Sequence, residues 1–530
     1  MLQSRPALTA AGRAERASGR VCLQRPRFAR GFASAITKKH RLGVKLTSAA
    51  VEVATGNSRG ELPTSSTPVT SANPAESPAA NGKYQWHSQW YPIGKVEDLD
   101  PRRPQAVHLL GIPLALWKDA QGQWQAVEDK CPHRLAPLSE GRVEKDGTLQ
   151  CAYHGWQFNG RGACTHIPQL RNDEKAQQVA CASRRSCVRA YPTQVAHGLL
   201  WVLPDSSAAG WEKAATPPST AQLLGSVNDD GADPDVGWYV RDMPLRFDTL
   251  VENLADPSHV PFAHHGVQGR RSQEKGTKLT LQEMGPGGFK TPFNMTGADM
   301  AVSFTAPSIV RYQPASSNTP FLILLAVPTR PGWSRIYHGL LNSGRKPTSF
   351  FFKILSAIRK IKWADHAFLR HPILDGDTYM LHVQERLLLD KDNDWKGSYY
   401  MPAPADGAVV ATRRWFDEHG GAVPTCELGT AMPPQLSKRD AIERYHQHTK
   451  HCKVCSQALR NVETATWLAA AAGVLAALVL VARAVAGLPL LAGESGMAAL
   501  AGAVCGGLVA VLRALREKFI FVDYVHQDKN

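Results

Sequence analysis

The chain has 530 residues, 43% of them hydrophobic and 20% charged, which excludes a disordered or collagen-like protein and leaves room for two or three domains. Its formal charge of +15 is uneven: residues 1–50 hold eight Arg and three Lys against one acidic residue, Glu15. A basic face for nucleic acid is therefore poorly supported, no RNA-binding or zinc-finger signature is present, and ten cysteines in this length do not make a secreted disulfide framework.

Residues 1–54 are Arg-rich, Ala/Ser-rich and acid-poor, the composition of an organellar transit peptide, with a disordered basic arm as the alternative. Residues 55–83 are rich in Ser, Thr, Pro and Ala with few apolar anchors, and read as a disordered linker. From 84 to 210, short β-like runs such as AVHLLGIPLALWKD, QWQAVED and HGLLWVLPD alternate with Gly, Pro and Asp turns, predicting a small all-β domain. Residues 236–450 are mixed. AVSFTAPSIVRYQP and TPFLILLAVPTR read as strands, SFFFKILSAIRKIKWADHAFL as a helix, and 404–437 as irregular until KRDAIERYHQHTK resumes a helical pattern. Segment 451–464 carries Cys452 and Cys455. Residues 465–530 contain two uncharged runs of 18 residues, Ala465–Ala482 and Ser495–Leu512. Each reaches the length needed to cross a bilayer core, and their small residues suit close helix packing. The alternative is a pair of buried helices in a soluble domain.

Three constellations carry chemistry. The first is CPHRLAPLSEGRVEKDGTLQCAYHGWQFNG, residues 131–160, where Cys-x-His and Cys-x-x-His are separated by 17 residues. Two thiolates and two imidazoles suit a tetrahedral zinc ion or a two-iron, two-sulfide cluster whose imidazoles raise its potential. Pro132 stiffens one loop, Gly155 allows close approach in the other, and Tyr153 and Trp156 are expected to wall out water, which favours the cluster. The second is VENLADPSHVPFAHHG, residues 251–266. His259 and His264 supply two imidazoles, to which a distant carboxylate would add the third ligand of a ferrous site that activates dioxygen; read alone, the plain alternative is a His-rich loop. Pro261 between them is expected to distort a helix and re-aim His264. Glu252 and Asn253 read either as partners that orient ligands or as a helix-start polar cluster. The third is RYHQHTKHCKVCSQAL. Cys452-x2-Cys455 lies beside Lys450, Lys453, His446, His448 and His451. Nearby positive charge favours a redox-active pair; a zinc clip and an inert structural pair are the alternatives.

The pattern C-P-H-x17-C-x2-H-G-W resembles the Rieske domain of ring-hydroxylating-type oxygenases. That resemblance implies that Cys131 and Cys151 hold one iron of a [2Fe-2S] cluster, and His133 and His154 the other. Adding QWYP, IPQ, ENLADPSHVPFAHHGVQGRR, DGD, HTKHCKVC and EKFIFVDYVH, the chain over roughly 84–530 resembles the pheophorbide a oxygenase family of chloroplast Rieske non-haem iron oxygenases. The resemblance implies an α+β fold: an N-terminal all-β Rieske domain, a helix-grip-like mononuclear iron domain and a C-terminal transmembrane helical hairpin. It implies mononuclear iron held by His259, His264 and Asp377. Asp377 follows from an Asp-x6-Gln pattern ending at Gln384, with Asp375 as competitor and a turn aspartate as the plain reading of either. It implies that Asp256 links the iron site to His154 of a neighbouring subunit in a homotrimer. The implied partners are reduced ferredoxin, dioxygen, a tetrapyrrole, a membrane of the chloroplast (inner envelope or thylakoid) and thioredoxin at Cys452 and Cys455. A dinucleotide signature for NAD or flavin is missing. The implied reaction is oxygenative opening of the pheophorbide a macrocycle. Hydroxylation of a linear phyllobilin, oxidation of protochlorophyllide a or chlorophyllide a, and redox sensing in protein import are the rival functions. A pure electron carrier would leave Asp256, His259 and His264 unexplained.

Overall fold

Turn-punctuated alternation builds the N-terminal part as expected. The computed structural model describes residues 84–216, 236–295, 297–316, 320–341, 360–426, 430–489 and 493–529; the expected transit peptide, the linker 55–83 and most of the helix expected over 349–369 lie outside them. Strands β1 (Tyr91–Lys95), β2 (Gln105–Leu109), β3 (Ile112–Lys118) and β4 (Trp124–Glu128) are followed by four short strands, β5 (Arg142–Val143), β6 (Leu149–Gln150), β7 (Gln157–Phe158) and β8 (Cys164–His166), then by β9 (Ala190–Tyr191), β10 (Thr193–Ala196) and β11 (Leu199–Val202). They form three antiparallel sheets in the orders β1-β11-β10, β2-β3-β4-β9 and β5-β6-β7-β8. AVHLLGIPLALWKD is a hairpin whose two turn residues, Leu110 and Gly111, have φ of 51° and 80°, the positive pair that matches strand twist in a two-residue loop. The region is β-rich but not all-β: helix α1 (Glu174–Ala182) interrupts it, capped by Asp173, whose side chain accepts from Ala176 N.

The second part is a seven-stranded antiparallel sheet. Its strands are β12 (Tyr239–Met243), β13 (Glu283–Gly285), β14 (Gly288–Met295), β15 (Ala298–Thr305), β16 (Ile309–Pro314), β17 (Leu322–Arg330) and β18 (Trp333–Leu340), in the order β12-β18-β17-β16-β15-β14-β13. AVSFTAPSIVRYQP is thus two strands joined by a reversal, not one. Helices α2 (Phe247–Ala255), α3 (His371–Leu389) and α4 (Gly407–Trp415) accompany the sheet. Helix α4 lies in the stretch expected to be irregular. GAVVATRRW starts with Gly and carries β-branched residues, so its helix propensity is poor. It forms because Ala408, Ala411, Thr412 and Trp415, at helical spacing, are all buried. KRDAIERYHQHTK is also not one helix: a short turn at Lys438–Ala441 is followed by a widened turn at Tyr445–Thr449.

The two parts share one core. Tyr91, Leu114, Trp124 and Leu199 belong to the same buried cluster as Phe247, Val302, Leu325 and Trp415. The β2–β3 turn also donates Leu110 N and Gly111 N to Pro328 O and Thr329 O, at 2.9 and 2.8 Å. A buried charge network fixes α3 against this core. Asp375 accepts from Arg241 Nη1 at 2.6 Å and from Arg444 Nε and Nη2 at 2.9 and 2.6 Å. Arg241 reaches on to Gln447 Oε1 and Ile442 O, and Arg444 to Lys518 O.

Two long helices, α5 (Lys453–Val485) and α6 (Gly493–Glu517), are long and apolar enough to cross a membrane, and few residues of their apolar stretches are buried. No structural break separates 451–464 from the hairpin, since Cys452 caps α5 and Cys455 lies in its first turn. Ion pairs sit at both ends, Glu463–Arg516 at 3.0 Å and Arg483–Glu494 at 2.6 Å. Between Glu463 and Arg483 the helix rises about 30 Å at ~1.5 Å per residue, close to the ~30 Å thickness of a bilayer core. After α6 the chain returns to the sheet domain: Phe519 is fully buried, and its carbonyl accepts from Thr449 Oγ1 at 2.7 Å.

Candidate metal centres

The two Cys/His loops share one backbone design. Cys131 N donates to Ala136 O and Leu135 N to Cys131 O; Cys151 N donates to Trp156 O and Gly155 N to Cys151 O. Leu135 and Gly155, each four residues after the Cys, have φ of 62° and 75°. At Gly155 a side chain would also collide with Pro168, 2.9 Å from where a Cβ would stand. The loops bury both sulfurs, at 2% exposure each, above the core around Trp117, Leu138, Leu149 and Phe158. Burial pushes the Cys131 thiol up to about 11. The imidazoles face one another, with His133 and His154 ring centres 4.6 Å apart. Trp156 stacks flat on His133 at 4.8 Å, while Tyr153 is 59% exposed and so does not wall out water as expected. Two buried thiols and two facing imidazoles, carried on paired loops, suit two irons bridged by sulfide.

His259 and His264 bracket a single helical turn, Val260–Ala263, with Pro261 buried inside it. Their Nε2 atoms are 3.2 Å apart. Asp377, in the second turn of α3, places Oδ2 3.2 Å from His264 Nε2 and 3.8 Å from His259 Nε2. Asp375 points instead into the arginine network, and neither aspartate lies in a turn. Gly376 lets α3 come this close: a Cβ there would stand 3.1 Å from Ala263 O and 3.2 Å from His264 Nδ1. Gly376→Val is accordingly expected to displace His264 and reduce mononuclear iron content, measured by metal analysis, with the Rieske EPR signal unchanged. Unaltered iron content in that variant would show the contact to be slack.

Two convergent imidazole nitrogens and a buried carboxylate fit a ferrous ion. Asp256 Oδ2 stands 3.6 Å from His259 Nδ1, longer than a hydrogen bond, and Ser258 holds its Oδ1 through N and Oγ at 2.7 and 2.5 Å. Burial disfavours charge on His259, yet Asp377 and Asp256 outweigh it and raise its pKa to about 9. Asp377 is held below the usual carboxylate range: its burial works the other way, but His264 and His259 prevail. Glu252 and Asn253 do not orient these ligands and do not start a helix; they end α2. Glu252 pairs with Arg413 of α4, and Asn253 O accepts from Asp256 N at 3.2 Å. Sequence reasoning missed the tail's part in the site. Tyr524 donates its hydroxyl to Ala263 O at 2.8 Å, beside His264. The signal was present in EKFIFVDYVH, but nothing local says that it returns here. Gln384 lies seven residues past Asp377, on the same face of α3, and borders a groove of about 640 Å³ with Tyr379, Met380 and Tyr399.

Cys452 and Cys455 are 3% and 0% exposed. A dithiol that exchanges with thioredoxin needs accessible sulfur, so the expected redox partner does not fit this burial.

A sheet-rich Cys2His2 domain fused to a two-His-one-carboxylate domain defines a Rieske non-haem iron oxygenase. The family model "Rieske [2Fe-2S] domain" matches residues 89–192, and "Pheophorbide a oxygenase" matches 304–395. The chain is 34% identical over 475 residues to pheophorbide a oxygenase of Oryza sativa subsp. japonica, across 85% of this chain and 86% of that one. It is 34% identical to pheophorbide a oxygenase of Arabidopsis thaliana, across 84% and 85%, and 34% identical to flavonoid 8-hydroxylase 2 of Ocimum basilicum, across 72% and 75%. The chain belongs to the pheophorbide a oxygenase family.

Proposed function

We propose that this enzyme opens the macrocycle of pheophorbide a by monooxygenation, taking electrons from reduced ferredoxin, in a chloroplast membrane entered by the α5–α6 hairpin. The observation that carries the proposal is the coexistence of the two donor sets with similarity, over 85% and 84% of this chain, to relatives of that name, called chloroplastic. In this reading Cys131, Cys151, His133 and His154 hold the cluster, and His259, His264 and Asp377 hold the iron. Together the bound groups supply electron storage and activation of dioxygen. The chain's own share is to aim, shield and charge the site. Tyr524 and Gly376 fix the turn that carries His264, and Ser258 orients Asp256 toward His259 Nδ1. Asp256 is the residue we assign to the link with His154 of a second copy in a trimer; the exposed Tyr153 beside His154 leaves that edge open to a neighbour. The groove along α3 is of the size that takes a large ligand.

Iron binds neutral imidazole, so the proton on His259 competes with it. Ferrous ion added anaerobically to metal-free protein is expected to bind more tightly as pH rises from 6.5 to about 9. A flat affinity profile over that window would remove the role assigned to Asp377 and Asp256 in charging His259.

The deciding experiment is anaerobic reconstitution with reduced ferredoxin, then labelled dioxygen and a panel of pheophorbide a, protochlorophyllide a, a linear phyllobilin and a flavone. A ring-opened pheophorbide product carrying label is expected. The flavone stands for a second reading, favoured by the equal identity to the flavonoid hydroxylase; labelled flavone with untouched pheophorbide would select it.

A further inference from the structure

Beside the two iron centres the described residues gather one other set of convergent donors. His366, His448, Cys452 and Cys455 are all buried, and one ligand atom from each lies within 4.8 Å of the others. Cys455 Sγ is 3.2 Å from His366 Nδ1 and 3.3 Å from His448 Nε2, and Cys452 Sγ is 3.8 Å from His366 Nδ1. A tetrahedral zinc with Zn–S of ~2.3 Å and Zn–N of ~2.05 Å has sulfur-to-nitrogen edges of about 3.6 Å. The observed edges bracket that value. The two sulfurs come from a Cys-x2-Cys pair, the usual zinc spacing. His448 Nδ1 lies 2.5 Å from Val240 O. A carbonyl only accepts, so Nδ1 carries the proton and Nε2 turns its lone pair toward the sulfurs, the second-sphere arrangement of metal-bound histidine. Without an ion the arrangement is poorly satisfied: two ring nitrogens crowd one sulfur that has a single weak S–H to offer. With a divalent ion, two thiolates and two neutral imidazoles sum to zero charge, which makes burial affordable.

We propose that His366, His448, Cys452 and Cys455 form a structural site for a thiophilic divalent cation, zinc, that clamps the root of the hairpin to the catalytic domain. Its ligands join the first turn of α5 to the segment just before α3, which carries Asp377. The second-sphere carbonyl belongs to β12. A cavity of about 360 Å³, bordered by Lys95, Asp98, His366, His448 and Cys452, gives the ion a way in. The site shares no ligand with either iron centre, so its failure would leave the oxygenase reading standing.

The test is metal analysis and zinc X-ray absorption on the full chain, purified in detergent from cells supplied with iron and zinc. Stoichiometric zinc with two sulfur and two nitrogen neighbours is expected, and His366→Ala should lose it while keeping the iron and the Rieske EPR signal. Zinc-free protein, a Cys452–Cys455 disulfide by mass analysis, or zinc with only nitrogen and oxygen neighbours would each overturn the proposal. The wild-type spectrum decides the matter even where a variant fails to fold.

Discussion

Asp377→Asn is expected to abolish turnover, by on the order of 10³-fold or more, with the protein still folded and the Rieske EPR signal intact. The carboxylate is the charged member of a buried set whose other members are two imidazoles. Asn keeps the volume and one weakly donating oxygen but removes the charge that balances a divalent ion. A metal's electrophilic share of a barrier is several kcal/mol, and each ~1.4 kcal/mol is tenfold in rate. Three readings separate the outcomes: mononuclear iron content, the reduced-cluster signal and the melting temperature. Wild-type iron content in Asp377→Asn would remove this residue from the ligand set.

Asp375→Ala, two residues away, is expected to act on folding. Its carboxylate is fully buried between Arg241 and Arg444, themselves 0% and 2% exposed at the side chain. Removing one partner of a buried ion pair costs about 3–5 kcal/mol because the remaining charges are stranded. Against a total stability of about 5–15 kcal/mol, the variant would have a much lower denaturation midpoint or fail to accumulate. The network joins β12, α3, Ile442 and Lys518, so its loss would loosen the helix that carries Asp377 and the tail that carries Tyr524. A change below about 1 kcal/mol, the range of an exposed pair, would mean that water reaches the network. The two substitutions therefore divide DGD into a ligand and a strut.

How much of this was legible before folding depends on how local each signal is. The Rieske ligands are carried by two short loops whose geometry is set within six residues of each Cys, so CPH and CAYH announce them. The pair of histidines around Pro261 is equally local. The carboxylate was readable only through a family spacing, because Asp375 and Asp377 are chemically identical in the chain and differ only in which way α3 turns them. Tyr153 reads as an aromatic shield, yet the loop presents it to the surface and gives the contact with His133 to Trp156 instead.

Helix α4 shows the opposite limit. Its residues have weak intrinsic preference, and the helix exists because Trp415 and its neighbours fill the core against Phe247 and Phe304. Burial supplies more than propensity opposes.

The sequence by itself determined the chemistry of this protein: which side chains can bind metal, where two helices can cross a membrane, and that a β-rich domain precedes a mixed one. These are properties of short windows, set by side-chain type and period. Tertiary structure alone decided which of two aspartates meets the histidines, that the tail returns past the hairpin to brace His264, and that His366 comes to the Cys452–Cys455 pair from more than eighty residues away. Those are long-range contacts, and no local window contains the free energy of packing that creates them.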